Sequence, residues 1–77
     1  MTLWRHMADA GTEVDTRDKG KRVKLVALDG TDANFPVKIG DMGKVAFAYK
    51  VEGEDWIQCE WDNGEIESVR RKEVSFL

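Results

Sequence analysis

The sequence predicts an all-β fold, a small barrel of about five short antiparallel strands behind an N-terminal arm. Three observations predict it. The runs "KRVKLVAL", "KVAFAYKV" and "WIQCEW" alternate apolar and polar residues, the period of a half-buried strand. Turn-forming residues divide these runs, and Asn63–Gly64 is the strongest short-range hairpin signal a sequence offers. Finally, 77 residues suffice for one domain at most, and so short a chain hides its sheet edges best by closing the sheet.

Residues 1–18 show no such alternation, and "ADAGTEVDTRD" is polar and turn-rich, the composition of a mobile arm. Thr2 is placed to cap a short helical turn with Leu3, Met7 and Ala10 on one face and Gly11 at its end. Met7 offers an alternative start, which would make Trp4 dispensable. The barrel is assigned to residues 19–77.

In strand one, Val23, Leu25 and Ala27 share the inner face, with Arg22, Lys24 and Val26 outside. The stretch "DGTDANFPVKIGDMG" carries turn residues and the single proline, Pro36, and reads as a long ordered loop. Strand two places Val45, Phe47, Tyr49 and Val51 on one face, and alanines and lysines on the other. After a turn at Gly53, Ile57, Cys59 and Trp61 point inward and Trp56 stays out of that row. The register expected across this turn sets Val51 opposite Ile57, Tyr49 opposite Cys59 and Phe47 opposite Trp61.

A two-residue type I′ turn at Asn63–Gly64 would set Trp61 opposite Ile66 and Cys59 opposite Ser68. It would also set Glu60 opposite Glu67 on the outer face, where like charges repel unless a lysine of a neighbouring strand relieves them or a partner uses the acidic surface. "RRKEV" reads as a single 3₁₀-type turn, and "VSFL" as a short last strand.

Composition narrows the function classes. Fifteen acidic residues against twelve basic ones give a net charge of -3, which argues against nucleic-acid binding through the bulk field while leaving local patches open. Cys59 is the only cysteine, so no disulfide forms within the chain. No stretch approaches the roughly 20 apolar residues of a membrane helix, and no apolar signal-peptide core opens the chain; a cytoplasmic protein is expected.

Catalysis is not expected. The one histidine, His6, sits in the arm, and Cys59 lies in the inward row as a small hydrophobe rather than a nucleophile. No metal or cofactor is expected either: Asp29, Asp32 and Asp41 lack the spacing and closing glutamate of a calcium loop and suit turns instead. Gly40 and Gly43 precede Lys44 too closely for a phosphate loop, and read as a tight turn into strand two.

The order Gly20, Val23, Leu25, then Pro36, Gly40, Gly43, Val45, then Ile57, Trp61, Asp62, Asn63, Gly64 has the form G-x-x-V-x-L, P-x-x-x-G-x-x-G-x-V, I-x-x-x-W-D-N-G. It resembles a family of small SH3-like barrels of unknown function, frequent in phage and mobile-element genomes of bacteria. Over Gly40 to Gly64 it is also similar to the W-D-N-G barrels beside zinc fingers in ubiquitin ligases. The resemblance implies an SH3-like barrel in a phage or prophage setting, where many small proteins bind and block a host protein, including anti-defence inhibitors. Related barrels bind peptides, modified side chains or RNA, so the fold alone does not fix the role.

Ligands of SH3-like barrels meet the early loop and nearby hairpin tips, which here supply Phe35, Trp56 and Tyr49; each serves either as a binding anchor or as cover for a barrel end. With the acidic hairpin face of Glu60, Glu65 and Glu67 they form the expected protein-binding site for a host or phage protein, on a monomer or weak homodimer. The alternative is a nucleic-acid surface of Lys21, Arg22, Lys24, Arg70, Arg71 and Lys72, which requires strand one and the last turn to lie side by side. Trp61 belongs to the inward row and is expected to close the core beneath its hairpin.

Overall fold

The computed structural model describes residues 13–28 and 34–77. The helical turn expected after Thr2, the alternative start at Met7, and Trp4, His6, Asp29 and Asp32 lie outside the described residues. The fold is all-β and antiparallel, with strands β1 (Val14–Asp15), β2 (Arg22–Leu25), β3 (Met42–Val51), β4 (Glu54–Trp61), β5 (Ile66–Arg70) and β6 (Val74–Phe76). A 3₁₀ turn, Arg71–Glu73, joins β5 to β6, as the sequence predicts. The sheet runs β5–β4–β3–β2–β6, with β1 alongside β3.

Strand β2 buries Val23 and Leu25 and exposes Arg22 and Lys24, the predicted alternation. Its partners are the start of β3 and the whole of β6. Beyond β2, the Val26 and Ala27 amides both donate to the Glu73 carbonyl, which ties the chain to the 3₁₀ turn. The folded part reaches further back than Lys19, because Val14 and Asp15 pair with Tyr49 and Ala48 of β3.

The loop before β3 contributes to the core instead of covering it. Phe35 and Val37 are buried among Val23, Leu25, Val45, Ile57, Cys59, Trp61, Val69 and Val74. Each fully buried aliphatic side chain of this kind is worth roughly 1.5–3 kcal/mol relative to exposure. Gly40, at φ 101°, closes the loop by donating to the Leu25 carbonyl, and the Asp41 carboxylate accepts the Lys38 amide.

Three predicted registers need correction. First, β3 carries a bulge between Val45 and Phe47. One extra residue reverses the alternation, so Val45 enters the core, Ala48 packs against it, and Phe47 and Tyr49 pass to the opposite face. Second, the β3–β4 turn is the two-residue one. Glu52 and Gly53 both hold positive φ, 50° and 82°, as a type I′ turn requires. Val51 therefore faces Glu54, Ala48 faces Ile57, Val45 faces Cys59 and Gly43 faces Trp61.

Third, the Asn63–Gly64 hairpin is one residue longer than a type I′ turn. The Gly64 amide donates to the Trp61 carbonyl and the Trp61 amide to the Glu65 carbonyl. Only Gly64, at φ 93°, is left-handed there, which matches a three-residue loop closed by a bulge. Asn63 keeps an ordinary φ because its side chain is engaged: its carbonyl accepts the Glu65 amide at 2.9 Å and its Nδ2 donates to the Pro36 carbonyl at 3.0 Å. The register slips accordingly, to Glu60 opposite Ile66, Cys59 opposite Glu67 and Gln58 opposite Ser68.

Candidate functional site

The residues expected to form a protein-binding site do not share a surface. Phe35 is in the core. Tyr49 and Trp56 face each other across β3 and β4, on the side away from the core, yet both are buried; Trp56 is 6% exposed. Phe47 stacks at a tilt 5.9 Å from Tyr49, and the Arg70 guanidinium lies 4.8 Å above the Trp56 ring, anchored by Glu54 at 3.1 Å. Tyr49 and Trp56 together form part of the wall of a groove completed by Val14, Asp15, Asp18 and Arg71. Glu67 is only 5% exposed, on the core side opposite Cys59. The acidic face thus reduces to Glu60 and Glu65, and Lys44 of β3 stands directly opposite Glu60 of β4.

The basic residues fare differently. Pairing of β2 with β6 lays strand one beside the 3₁₀ turn. Asp18 then bridges the two clusters, with Lys21 Nζ at 2.9 Å and Arg71 Nη1 at 3.1 Å. Hydrogen bonds from Lys21 and then Arg71 hold the Asp18 carboxyl below the usual carboxylate range. Arg71 also lies 4.6 Å above the Phe76 ring. Lys21, Arg22, Arg71, Phe76 and Leu77 line one groove. Arg22 reaches across β3 to Asp62 in a forked pair at 2.9 and 2.7 Å, which lowers the Asp62 pKa. Lys24 and Lys72 are exposed and, among the described residues, make no ion pair. Arg70 leaves the group, turned toward Trp56 and Glu73.

Around these cations the structure gathers apolar side chains that sequence reasoning did not assign to a site. Strand β2 and its continuation present Arg22, Lys24 and Val26 outward. Lys44 and Met42 flank them on β3, opposite Arg22 and Lys24, and Ser75 lies on β6 opposite Lys24. The Leu77 amide donates to the Arg22 carbonyl, and Leu77 is 67% exposed. Ile39, 64% exposed, precedes the Gly40 that bonds to Leu25. The alternation of Arg22, Lys24 and Val26 was visible in the sequence; that Met42, Lys44 and Leu77 join them follows only from the strand pairing.

Elsewhere, burial pushes the Cys59 thiol up to about 12, which removes its nucleophilic form near neutral pH. Among the described residues, no group of three or more His, Cys, Asp or Glu side chains is placed to hold a metal ion, and no helix is long and apolar enough to cross a membrane. In comparisons with protein-family models, curated proteins and solved structures, the chain matches none.

Proposed function

We propose that this chain is a non-catalytic module that binds a protein through the outer face of β2, with its neighbours on β3 and β6. The observation that carries the reading is the mixture on that face: Val26, Met42 and Leu77 interleaved with Arg22, Lys24 and Lys44. Apolar side chains supply affinity and charged ones supply steering and selectivity. The complementary partner surface alternates acidic and apolar groups. The resemblance to phage-borne SH3-like barrels supports a phage or prophage accessory protein that modulates a host protein in the bacterial cytoplasm, with anti-defence inhibition as one form of that role.

Capture from bacterial lysate by wild type and by a Lys24→Glu/Lys44→Glu variant tests the reading. A specific protein should be retained by wild type and lost by the variant by about tenfold or more, with the fold intact by circular dichroism. Equal capture by both would move the binding site elsewhere.

A second reading, nucleic-acid binding, is favoured by the joining of Lys21, Arg22 and Arg71 around Asp18. It would show as oligonucleotide affinity at low salt that falls steeply as salt is added. Among the described residues the one aromatic ring in that groove is Phe76, and Arg71 already covers it, so these residues offer bases no open stacking platform there.

A further inference from the structure

The Asn63–Gly64 tip joins a reactive dipeptide to a structural latch. Glycine after asparagine leaves the following amide nitrogen sterically open to attack the side-chain carbonyl carbon. In the folded chain every group in that reaction is occupied. The Gly64 amide is held by the Trp61 carbonyl at 2.9 Å, Asn63 Oδ1 by the Glu65 amide at 2.9 Å, and Asn63 Nδ2 by the Pro36 carbonyl at 3.0 Å. The bond to Pro36 is also a tertiary tie, crossing from the β4–β5 hairpin to the segment that carries Phe35 and Val37 into the core.

We propose that Asn63 is a deamidation site that the fold holds in check, and that its conversion irreversibly releases the Pro36 segment from the hairpin. In the reaction, the Gly64 nitrogen loses its proton and bonds to Asn63 Cγ. The Cγ–Nδ2 bond breaks, and Nδ2 leaves as ammonia. Water then opens the cyclic imide at either carbonyl, giving aspartate or isoaspartate. The product has no N–H to give Pro36 and sets a carboxylate oxygen against that carbonyl, so the tie becomes a repulsion. It also adds a negative charge beside Asp62, the partner of Arg22. The isoaspartate form lengthens the backbone inside a loop whose Trp61–Gly64 and Trp61–Glu65 bonds fix its length. This inference stands independently of what the β2 face binds.

The test incubates the full chain at mildly alkaline pH, folded and in denaturant, and follows the mass gain of amide-to-acid conversion by peptide mapping. Conversion at Asn63 should be slower in the folded chain by about tenfold or more, because it must wait for local opening of the tip. Asn34, which precedes the bulky Phe35, is the internal reference and should change far more slowly than Asn63 in denaturant. Equal rates at Asn63 in the two states, or faster conversion at Asn34, would overturn the proposal. The latch is read separately by hydrogen exchange in Asn63→Asp and in Asn63→Ser, whose hydroxyl keeps an acceptor for Glu65 but stops an atom short of where Nδ2 donates to Pro36. Exchange at the Lys38 and Gly40 amides should quicken several-fold in both; wild-type protection in Asn63→Ser would show that the bond to Pro36 holds nothing.

Discussion

Gly43 lies directly across the sheet from Trp61, and the indole occupies the space a side chain at position 43 would need. A Cβ there would come within 2.8 Å of Trp61 Cε3 and 3.1 Å of the Glu60 carbonyl. Gly43, the second residue of β3, therefore serves packing rather than the tight turn its sequence position suggests; the turn is made by Gly40. The indole in turn donates through Nε1 to the Glu67 carbonyl at 3.2 Å, so one ring ties β3, β4 and β5.

Gly43→Ala should destabilise the fold by about 1–3 kcal/mol, the cost of overpacking a filled core. Trp61→Ala should cost about 3–5 kcal/mol by cavity formation. The double variant should lose less than the sum, since the smaller residue at 61 relieves the clash at 43. Denaturant unfolding measures all three, and strict additivity would mean that the two sites do not touch in solution.

Glu52 adopts φ 50° in the β3–β4 turn, a region that costs a non-glycine residue roughly 1 kcal/mol. Glu52→Asn or Glu52→Gly should raise stability by about 0.5–1 kcal/mol. Gly53→Ala, at φ 82°, should lower it by about 1 kcal/mol. Thermal melts of the three variants decide this; a loss in Glu52→Asn would contradict the turn geometry.

Acid should weaken the fold through Asp15, Asp18 and Asp62. Hydrogen bonds from Arg17 hold Asp15 at about 2, and Lys21 with Arg71, and Arg22, lower the other two. Because these carboxyls are depressed in the folded chain, the unfolded chain takes up protons first as pH falls. Their contribution is complete above the ordinary carboxylate pKa and is lost as pH drops toward the folded values. All three are solvent-accessible and screened by salt, so the effect is small. Asp18→Asn and Asp62→Asn should flatten the acid limb of a stability–pH curve, and salt should flatten it further. An unchanged limb in the double variant would mean that neither pair persists in solution.

Cys59 should resist thiol reagents in the native state and react readily once the chain unfolds. Its side chain is fully buried and desolvation raises its pKa to about 12. The folded chain keeps the neutral thiol, so stability should also decline as pH climbs above the ordinary thiol pKa toward that value. Labelling in native buffer at the rate seen in denaturant would place Cys59 outside the core.

Much of the fold was legible because alternation survives wherever a strand is straight. Strand β2, the inward row of Ile57, Cys59 and Trp61, the 3₁₀ turn and β6 all follow from it. The errors arose where one residue is inserted. The bulge before Phe47 and the third loop residue at the Asn63 hairpin each reverse a face, and neither leaves a periodic mark. Asn63–Gly64 announced a hairpin correctly but not its length, because the Asn63 side chain finds better partners in Glu65 and Pro36 than a left-handed backbone would give it. Trp56 was rightly placed outside the core row, yet its cover by Arg70 depends on a strand neighbour fourteen positions away. The β2 face was legible only as one strand's outer row, since its breadth depends on which strands adjoin it.

The carboxylate shared by Lys21 and Arg71 sets a rule for cutting this module out of its chain. A fragment begun at Lys19, where the strand pattern first becomes visible, would discard Asp18 together with the β1 ladder on β3. Lys21 and Arg71 would then confront each other across the junction of β2 and the 3₁₀ turn without their anion. Such a fragment would be a more basic protein with a poorer seam, and its retention on phosphate resins or nucleic acid would report the missing counter-ion rather than the native surface. A graftable unit must keep residues from Glu13 onward.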